Sequence, residues 1–278
     1  MRKRTVVGSV VGALAVAGFA VPASALPAST STTTVQIQLA GQPVGKVQLT
    51  RAGGQLRAHV VLDGVTPGSS HAVELIKGPG SHGPITFPNI TANSYGEVNA
   101  TVTAAASRTP PSLPPGSHLV VLLGPTGVTG PDANLAAQPT AEALVTGPPR
   151  PSWHRFVQVT DGLGSLYGDV SLSYDASAHT ITVTVTAGGF APNSYHAAHI
   201  HLGSCVEQGP VIYMISDLYA NDAGQMVNET RVLTGITSFT APPQGWYVNI
   251  HLGTSANILT AQGTPTVHFR PMLCGDIR

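Results

Sequence analysis

Two histidines alternate in the segment His199-Ile-His201, whose residue types are typical of a β-strand. Because side chains at positions i and i+2 of a strand point to the same face, both imidazoles project from one side. A third histidine, His251, ends another predicted strand that starts at Trp246. Three imidazoles brought to one point form a nitrogen-rich site that suits copper, zinc or nickel. The pattern therefore predicts a metal site built on two strands.

A simpler interpretation is that these histidines are hydrogen-bonded polar groups near a sheet edge, since a single His-x-His is a weak motif. An internal repeat helps to separate the two interpretations. Four segments recur in the same order with similar residues: 44–49 with 167–172, 67–78 with 192–203, 82–85 with 208–211, and 115–124 with 244–253. In the first copy, Glu74, Ile76 and Leu122 replace the three histidines, so metal binding at this location is expected only in the second copy.

The repeat predicts two similar β domains, a first repeat over residues 26–146 and a second repeat over residues 153–278. The proline-rich segment 147–152 is a stiff linker between them. Short runs rich in Thr and Val, separated by Gly and Pro turns, favour strands over helices. The expected class is all-β, with antiparallel sandwiches or flattened barrels. Strands are predicted at Thr180–Thr186, His196–His201, Val211–Ile215, Gln225–Leu233, Trp246–His251 and Thr266–Arg270.

Residues 1–25 have the form of an export signal, with a positive start, a short apolar run and a small-residue cleavage site. The expected location is therefore secreted or associated with the cell envelope, and no other segment is apolar enough to span a bilayer. Charged residues make up only 9% of the chain and the net charge is +0, which disfavours nucleic acid and anionic membranes as partners.

The chain contains only two cysteines, Cys205 and Cys274. In an exported protein such a pair predicts a disulfide. The alternative of two thiolates that bind metal is less favoured, because neither cysteine belongs to a Cys-x-x-Cys motif.

The segment 196–203 (HAAHIHLG) resembles a strand of the copper/zinc superoxide dismutase superfamily that supplies two copper ligands and one structural histidine. The segment 205–210 (CVEQGP) resembles that family's Cys-x-x-x-Gly-Pro, and 248–251 (VNIH) resembles the strand with a further copper ligand. Arg270, upstream of the second cysteine, resembles the active-site arginine. The resemblance covers roughly residues 153–277 and implies tandem antiparallel Greek-key β-sandwich or flattened-barrel domains.

The resemblance implies that His199, His201 and His251 are copper ligands and that His196 supports a ligand or its strand. It implies that Arg270 is the catalytic residue that attracts and positions superoxide, and that the two cysteines form an intradomain disulfide. The expected activity is then copper-dependent superoxide dismutation, an oxidoreductase reaction.

The chain also departs from the family pattern. Val211 stands where a histidine should bridge copper and zinc, Met214 stands where a zinc histidine is expected, and Asp217 alone cannot hold zinc. Arg270 is one residue further from its cysteine than in the family. The expected cofactor is therefore copper without zinc.

The segments 199–203 and 245–251 also look like CHRD domains, which are extracellular β modules. This second resemblance implies a non-catalytic binding or structural module whose partner is a protein or the cell envelope. Copper storage or delivery is a further alternative, although the low number of methionines, 4 in all, disfavours a thioether copper carrier.

Overall fold

The structure is a computed structural model that describes residues 32–52, 54–78, 83–104, 113–145, 148–150, 152–158 and 165–277. The predicted export signal lies outside these residues, as do two positions of the predicted linker. The described chain is almost entirely antiparallel β-structure, so the all-β prediction is confirmed. None of its helices is long and apolar enough to cross a membrane.

The described chain contains seventeen strands. The first eight are β1 (Thr32–Gly41), β2 (Val44–Ala52), β3 (Gln55–Asp63), β4 (Ser70–Ile76), β5 (Ile85–Thr91), β6 (Val98–Thr103), β7 (His118–Leu122) and β8 (Pro139–Leu144). A one-turn helix, α1 (Ala133–Ala136), precedes β8. The others are β9 (Trp153–Arg155), β10 (Val157–Gln158), β11 (Tyr167–Asp175), β12 (Thr180–Gly188), β13 (Ser194–Gly203), β14 (Gln208–Ala220), β15 (Gln225–Thr234), β16 (Trp246–His251) and β17 (Pro271–Ile277).

These strands form three sheets. An eight-stranded sheet has the order β14-β13-β16-β17-β1-β11-β12-β15, and its two outer strands also contact each other, so that it is nearly closed into a barrel. A five-stranded sheet, β10-β8-β7-β4-β5, and a four-stranded sheet, β6-β3-β2-β9, enclose a second core.

The two repeats exchange their first strands. Strand β1 belongs to the first repeat in sequence, but it lies between β11 and β17 of the second repeat. In the reverse direction, β9 pairs with β2 and β10 pairs with β8, so the start of the second repeat completes the first. The described residues form one compact unit, and two separate tandem domains are not confirmed.

Each exchanged strand contributes to the core of the other repeat. Leu39 of β1 is 4% exposed and packs in the core formed by residues 166–277. Phe156, between β9 and β10, is 5% exposed and packs in the core of the first repeat. The alternating apolar residues of each strand fill the partner's interior, as the period of two requires.

The sheet faces that point away from these two cores also cover one another. Gln208 donates a hydrogen bond from Nε2 to the carbonyl oxygen of Val65, and its backbone N–H donates to that of Tyr95. Thr140 and Val120 lie on the outer face of the first repeat, yet they are only 1% and 2% exposed. Residues on the outer face of the second repeat are buried in the same way, and the three histidines are among them.

One strand prediction is wrong. Residues 266–270 do not form a strand, because Val267–Phe269 is a 3-10 helix whose first turn is capped by the Thr266 hydroxyl accepting from the His268 N–H. Strand β17 begins only at Pro271. The other five predicted strands lie within β12, β13, β14, β15 and β16 and are confirmed.

The strand exchange makes a reciprocal prediction. Leu39→Ala should lower the free energy of unfolding by about 2–5 kcal/mol and speed amide hydrogen exchange within residues 166–277. Phe156→Ala should cost about 3–5 kcal/mol and speed exchange within residues 44–145 instead. The opposite assignment, with Leu39→Ala loosening the first repeat, would contradict the exchange.

Candidate metal centre

The three predicted histidines lie together. His199 and His201 come from β13 and His251 from the end of β16, on the face of these strands that points away from the core residues Ala198, Ile200 and Ile250. Each histidine offers one nitrogen, and these nitrogens all lie within 4.8 Å of one another. Of the described residues, this group is the one that could hold a metal ion.

Backbone carbonyls fix the protonation state of two of these rings. His251 donates from Nδ1 to the carbonyl oxygen of Phe269 at 2.6 Å, and His201 donates from Nδ1 to that of Gly209 at 2.9 Å. A neutral imidazole carries one proton, so the Nε2 atom of each ring presents a bare lone pair. Anchoring of the second ring nitrogen is the usual way in which proteins orient a metal-binding histidine.

The distances suit a shared ligand position. The Nδ1 atom of His199 lies 3.0 Å from Nε2 of His251. Two nitrogens that each bind one metal at ~2.0–2.1 Å, at angles between ~90° and ~109°, are separated by about 2.8–3.4 Å. The Nε2 atoms of His199 and His201 are buried and have no hydrogen-bond partner among the described residues. Buried polar atoms are rarely left so, and a metal ion would use the Nε2 lone pair of His201, whereas His199 would bind through Nδ1 and carry its proton on Nε2.

Burial keeps all three rings neutral. It lowers the pKa of His199 to about 4, helped by the nearby His201, while the charge of Asp217 acts weakly in the opposite direction. Burial also lowers the pKa of His201 to about 4. The pKa of His251 is held well below its ordinary value by burial first and by the other two rings second. Neutral imidazoles are the form that binds metal, so protons compete little for this site near neutral pH.

His196 supports the site without being part of it. Its Nδ1 donates to the carbonyl oxygen of His251 at 2.9 Å, and its Nε2 lies 2.7 Å from the Ser194 hydroxyl. In the first repeat, His71 makes the same two contacts, with the carbonyl oxygen of Leu122 at 2.9 Å and the Ser69 hydroxyl at 2.6 Å. Because the described residues of the first repeat contain no histidine cluster, this arrangement serves to join two strands and does not depend on metal.

The predicted disulfide is present. Cys205 and Cys274 are bonded, which ties the loop after β13 to β17. Gly203 makes this connection possible, since it adopts φ +106° and a Cβ atom there would lie 2.4 Å from the carbonyl oxygen of Glu207. The backbone N–H of Cys205 also donates to Asp276 at 2.8 Å. With both sulfurs bonded to each other, the alternative of a thiolate metal site does not apply.

Arg270 is 6% exposed and is directed toward the first repeat, where its Nη2 lies 3.5 Å from the carbonyl oxygen of Thr140. Its predicted role toward superoxide stays a prediction.

Met214 pairs in register with His199, and Val211 pairs with His201, so both flank the histidines on β14. Neither side chain is a zinc ligand of the expected kind, and Asp217 accepts a hydrogen bond from the Ser255 N–H at 3.0 Å.

Sequence reasoning missed several neighbours of the histidines. Tyr247 stacks on His201 with ring centroids 4.8 Å apart and planes inclined by 19°, and burial raises the pKa of its phenol. Asn249 is fully buried beside the site. They lie two residues apart on the strand that ends in His251. The alternation of side chains along a strand would have placed both on the same face as this histidine. The anchoring carbonyls of Gly209 and Phe269 left no signal, because any residue can supply a backbone carbonyl.

A scan against protein-family models finds no family that matches this chain, and a search of curated proteins finds no significant relative.

The lowered histidine pKa values make a prediction for the metal-free chain. A group whose pKa is about 4 when folded and about 6.5 when unfolded binds more protons in the unfolded state, so stability falls as pH drops through this window. The loss is up to about 1.4 kcal/mol per histidine for each pH unit below 6.5. Urea unfolding with chelator at pH 7.5, 6, 5 and 4.5 measures it. The double variant His199→Gln/His201→Gln should show a flatter curve, and an equally steep one would contradict the assignment.

Proposed function

We propose that this chain is an exported copper-binding protein related to the superoxide dismutase superfamily, and that its copper site turns over superoxide. The observation that supports this most is the convergence of three neutral imidazoles, two of them held by backbone carbonyls so that Nε2 lone pairs point into one site. The superfamily resemblance of residues 153–277 and the disulfide agree with the proposal. The export signal of residues 1–25 adds the expected location.

The donor set favours copper. All three donors are imidazole nitrogens, and copper has the highest affinity for such sites among the divalent first-row metals. Structural zinc is normally held by four protein ligands, and no fourth His, Cys, Asp or Glu joins this group among the described residues. Three ligands leave one coordination position for a small molecule, which a redox site requires.

When bound, copper supplies the one-electron changes by which one superoxide is oxidised and the next reduced. The protein's own part is to position and to select. The carbonyls of Phe269 and Gly209 hold two rings in place, so the site need not reorganise when a charge changes. His199, His201 and His251 are at most 3% exposed, which restricts the site to very small ligands. Arg270 would contribute positive charge from the adjoining turn.

Copper titration tests this proposal. The mature chain, residues 26–278 in oxidised form, should bind one Cu(II) with nitrogen hyperfine structure in electron paramagnetic resonance. His251→Ala removes a ligand whose side chain is fully buried and should abolish specific binding. His118→Ala, on β7 of the first repeat, is the matched control and should bind copper as the wild type does. Unchanged copper stoichiometry in His251→Ala would refute the site.

A superoxide-decay assay then separates turnover from binding. The copper-loaded chain should accelerate the decay, and the His251→Ala variant treated with copper in the same way should not. Copper bound without acceleration would leave a copper-binding protein and exclude dismutation.

A second candidate function, a non-catalytic extracellular binding module, is favoured by a groove on the first repeat. The groove has a volume of about 830 Å³ and is bordered by Trp153, Lys46 and Arg155, whose two positive charges outnumber the single carboxyl, Asp63, that also lines it. Trp153 is 44% exposed, and the Lys46 ammonium lies 4.6 Å from its ring centroid. Lys46 and Arg155 face each other in register, and neither belongs to an ion pair formed within the described ranges. An exposed indole beside two cations suits an acidic saccharide of the cell envelope.

Binding of alginate, a polymer of uronic acids, tests the second candidate. Trp153→Ala together with Arg155→Ala should weaken binding at least tenfold in affinity electrophoresis, because both the stacking surface and one cation are lost. Tyr195→Ala, which removes an exposed aromatic ring on the second repeat, is the control. Equal retardation of all variants would exclude the groove as a binding site.

A further inference from the structure

Asn249 is a buried side chain with no hydrogen-bond partner in the part of the chain that the structure describes. Its residue is 0% exposed, and neither its Oδ1 nor its Nδ2 atom is paired. An amide left in this state lowers stability, because its two polar groups do not recover the hydrogen bonds that they make with water in the unfolded chain. The amide is therefore expected to have a hydrogen-bond partner that is not part of the protein chain.

The Asn249 amide lies on the same sheet face as the three histidines. Asn249 precedes His251 by two residues on β16, so both side chains point to the same side. It pairs in register with His199 on β13 and with Cys274 on β17. Cβ atoms of such directly opposed residues are about 4.5–5.5 Å apart, which places the carboxamide beside the imidazoles.

The first repeat shows what this position requires for packing alone. Its counterpart of Asn249 is Val120, which pairs in register with Glu74 just as Asn249 pairs with His199. Val120 is 2% exposed, so a valine fits the equivalent buried place without any unsatisfied atom. The polar residue occurs in the repeat that has the three histidines and the apolar residue in the repeat that lacks them.

We infer that Asn249 binds the small anion that occupies the histidine site, by donating a hydrogen bond from Nδ2. The inference rests on the proposed copper function and adds a residue that positions the exogenous ligand. A neutral amide suits this role, because it can hold an anion without competing for the metal and without changing the charge of a buried site. The anion is of the size of superoxide or azide, as the burial of the site requires.

Azide titration of the copper-loaded mature chain tests the inference. Asn249→Val places the residue of the first repeat at this position and should retain one copper per chain. Its azide affinity, followed by the charge-transfer band and by electron paramagnetic resonance, should fall about tenfold or more, as expected for loss of a hydrogen bond to a charged ligand. Asn99→Val, an exposed Asn-to-Val change on β6, should leave azide binding unchanged.

Thermal unfolding of the metal-free variants gives an independent readout. Because the Asn249 amide is unpaired, Asn249→Val should unfold at the same or a higher temperature than the wild type, and Asn249→Leu provides a second apolar variant should valine not fold. Azide affinity within twofold of the wild type, with copper retained, would overturn the inference and leave the copper site standing. Loss of copper from the Asn249 variants alone would also overturn it, by making Asn249 a support of the metal. Absence of copper from the wild type would overturn the proposed function as well.

Discussion

The histidine site depends on one constraint: polar side chains on the outer face of the second repeat are buried. His251, Asn249 and Tyr247 point away from their own hydrophobic core, yet each is 0% exposed. Polar groups buried in this way must find partners inside the protein. The carbonyls of Phe269 and Gly209 meet this need on one nitrogen of two rings, and the opposite nitrogens are left to face the site.

The two repeats apply the same framework with different side chains. The pairs Ser69–His71 and Ser194–His196 hold equivalent strands by identical contacts, which shows that the framework is independent of the metal site. The two repeats differ in a few side chains on the outer sheet face. These side chains are nitrogen-rich in the second repeat, and the histidines are absent from the matching positions of the first. Burial of this outer face then has two roles, because it stabilises the chain and also excludes water from the histidines.

The sequence was informative where chemistry depends on local spacing. The His-x-His alternation, the third histidine and the cysteine pair led to residues that the structure brings together. The sequence was uninformative about which distant strands pair with one another. Strand β1 has the alternating pattern Val-Gln-Ile-Gln-Leu, which fits the edge of either repeat equally well, so the exchange could not be read from it. Residues 266–270 have strand-like composition, but the Thr266 cap starts a helical turn that the pattern does not reveal.

The strand exchange has a consequence for the order in which the chain can fold. Strand β1 leaves the ribosome before its partners β11 and β17, which follow more than a hundred residues later, as the 139-residue separation of the contact between Thr34 and Ser173 illustrates. Such high contact order slows folding and leaves the edges of β1 unpaired until β11 and β17 have been synthesised. The eight-stranded sheet therefore cannot close during synthesis until β17 has emerged to pair with β1.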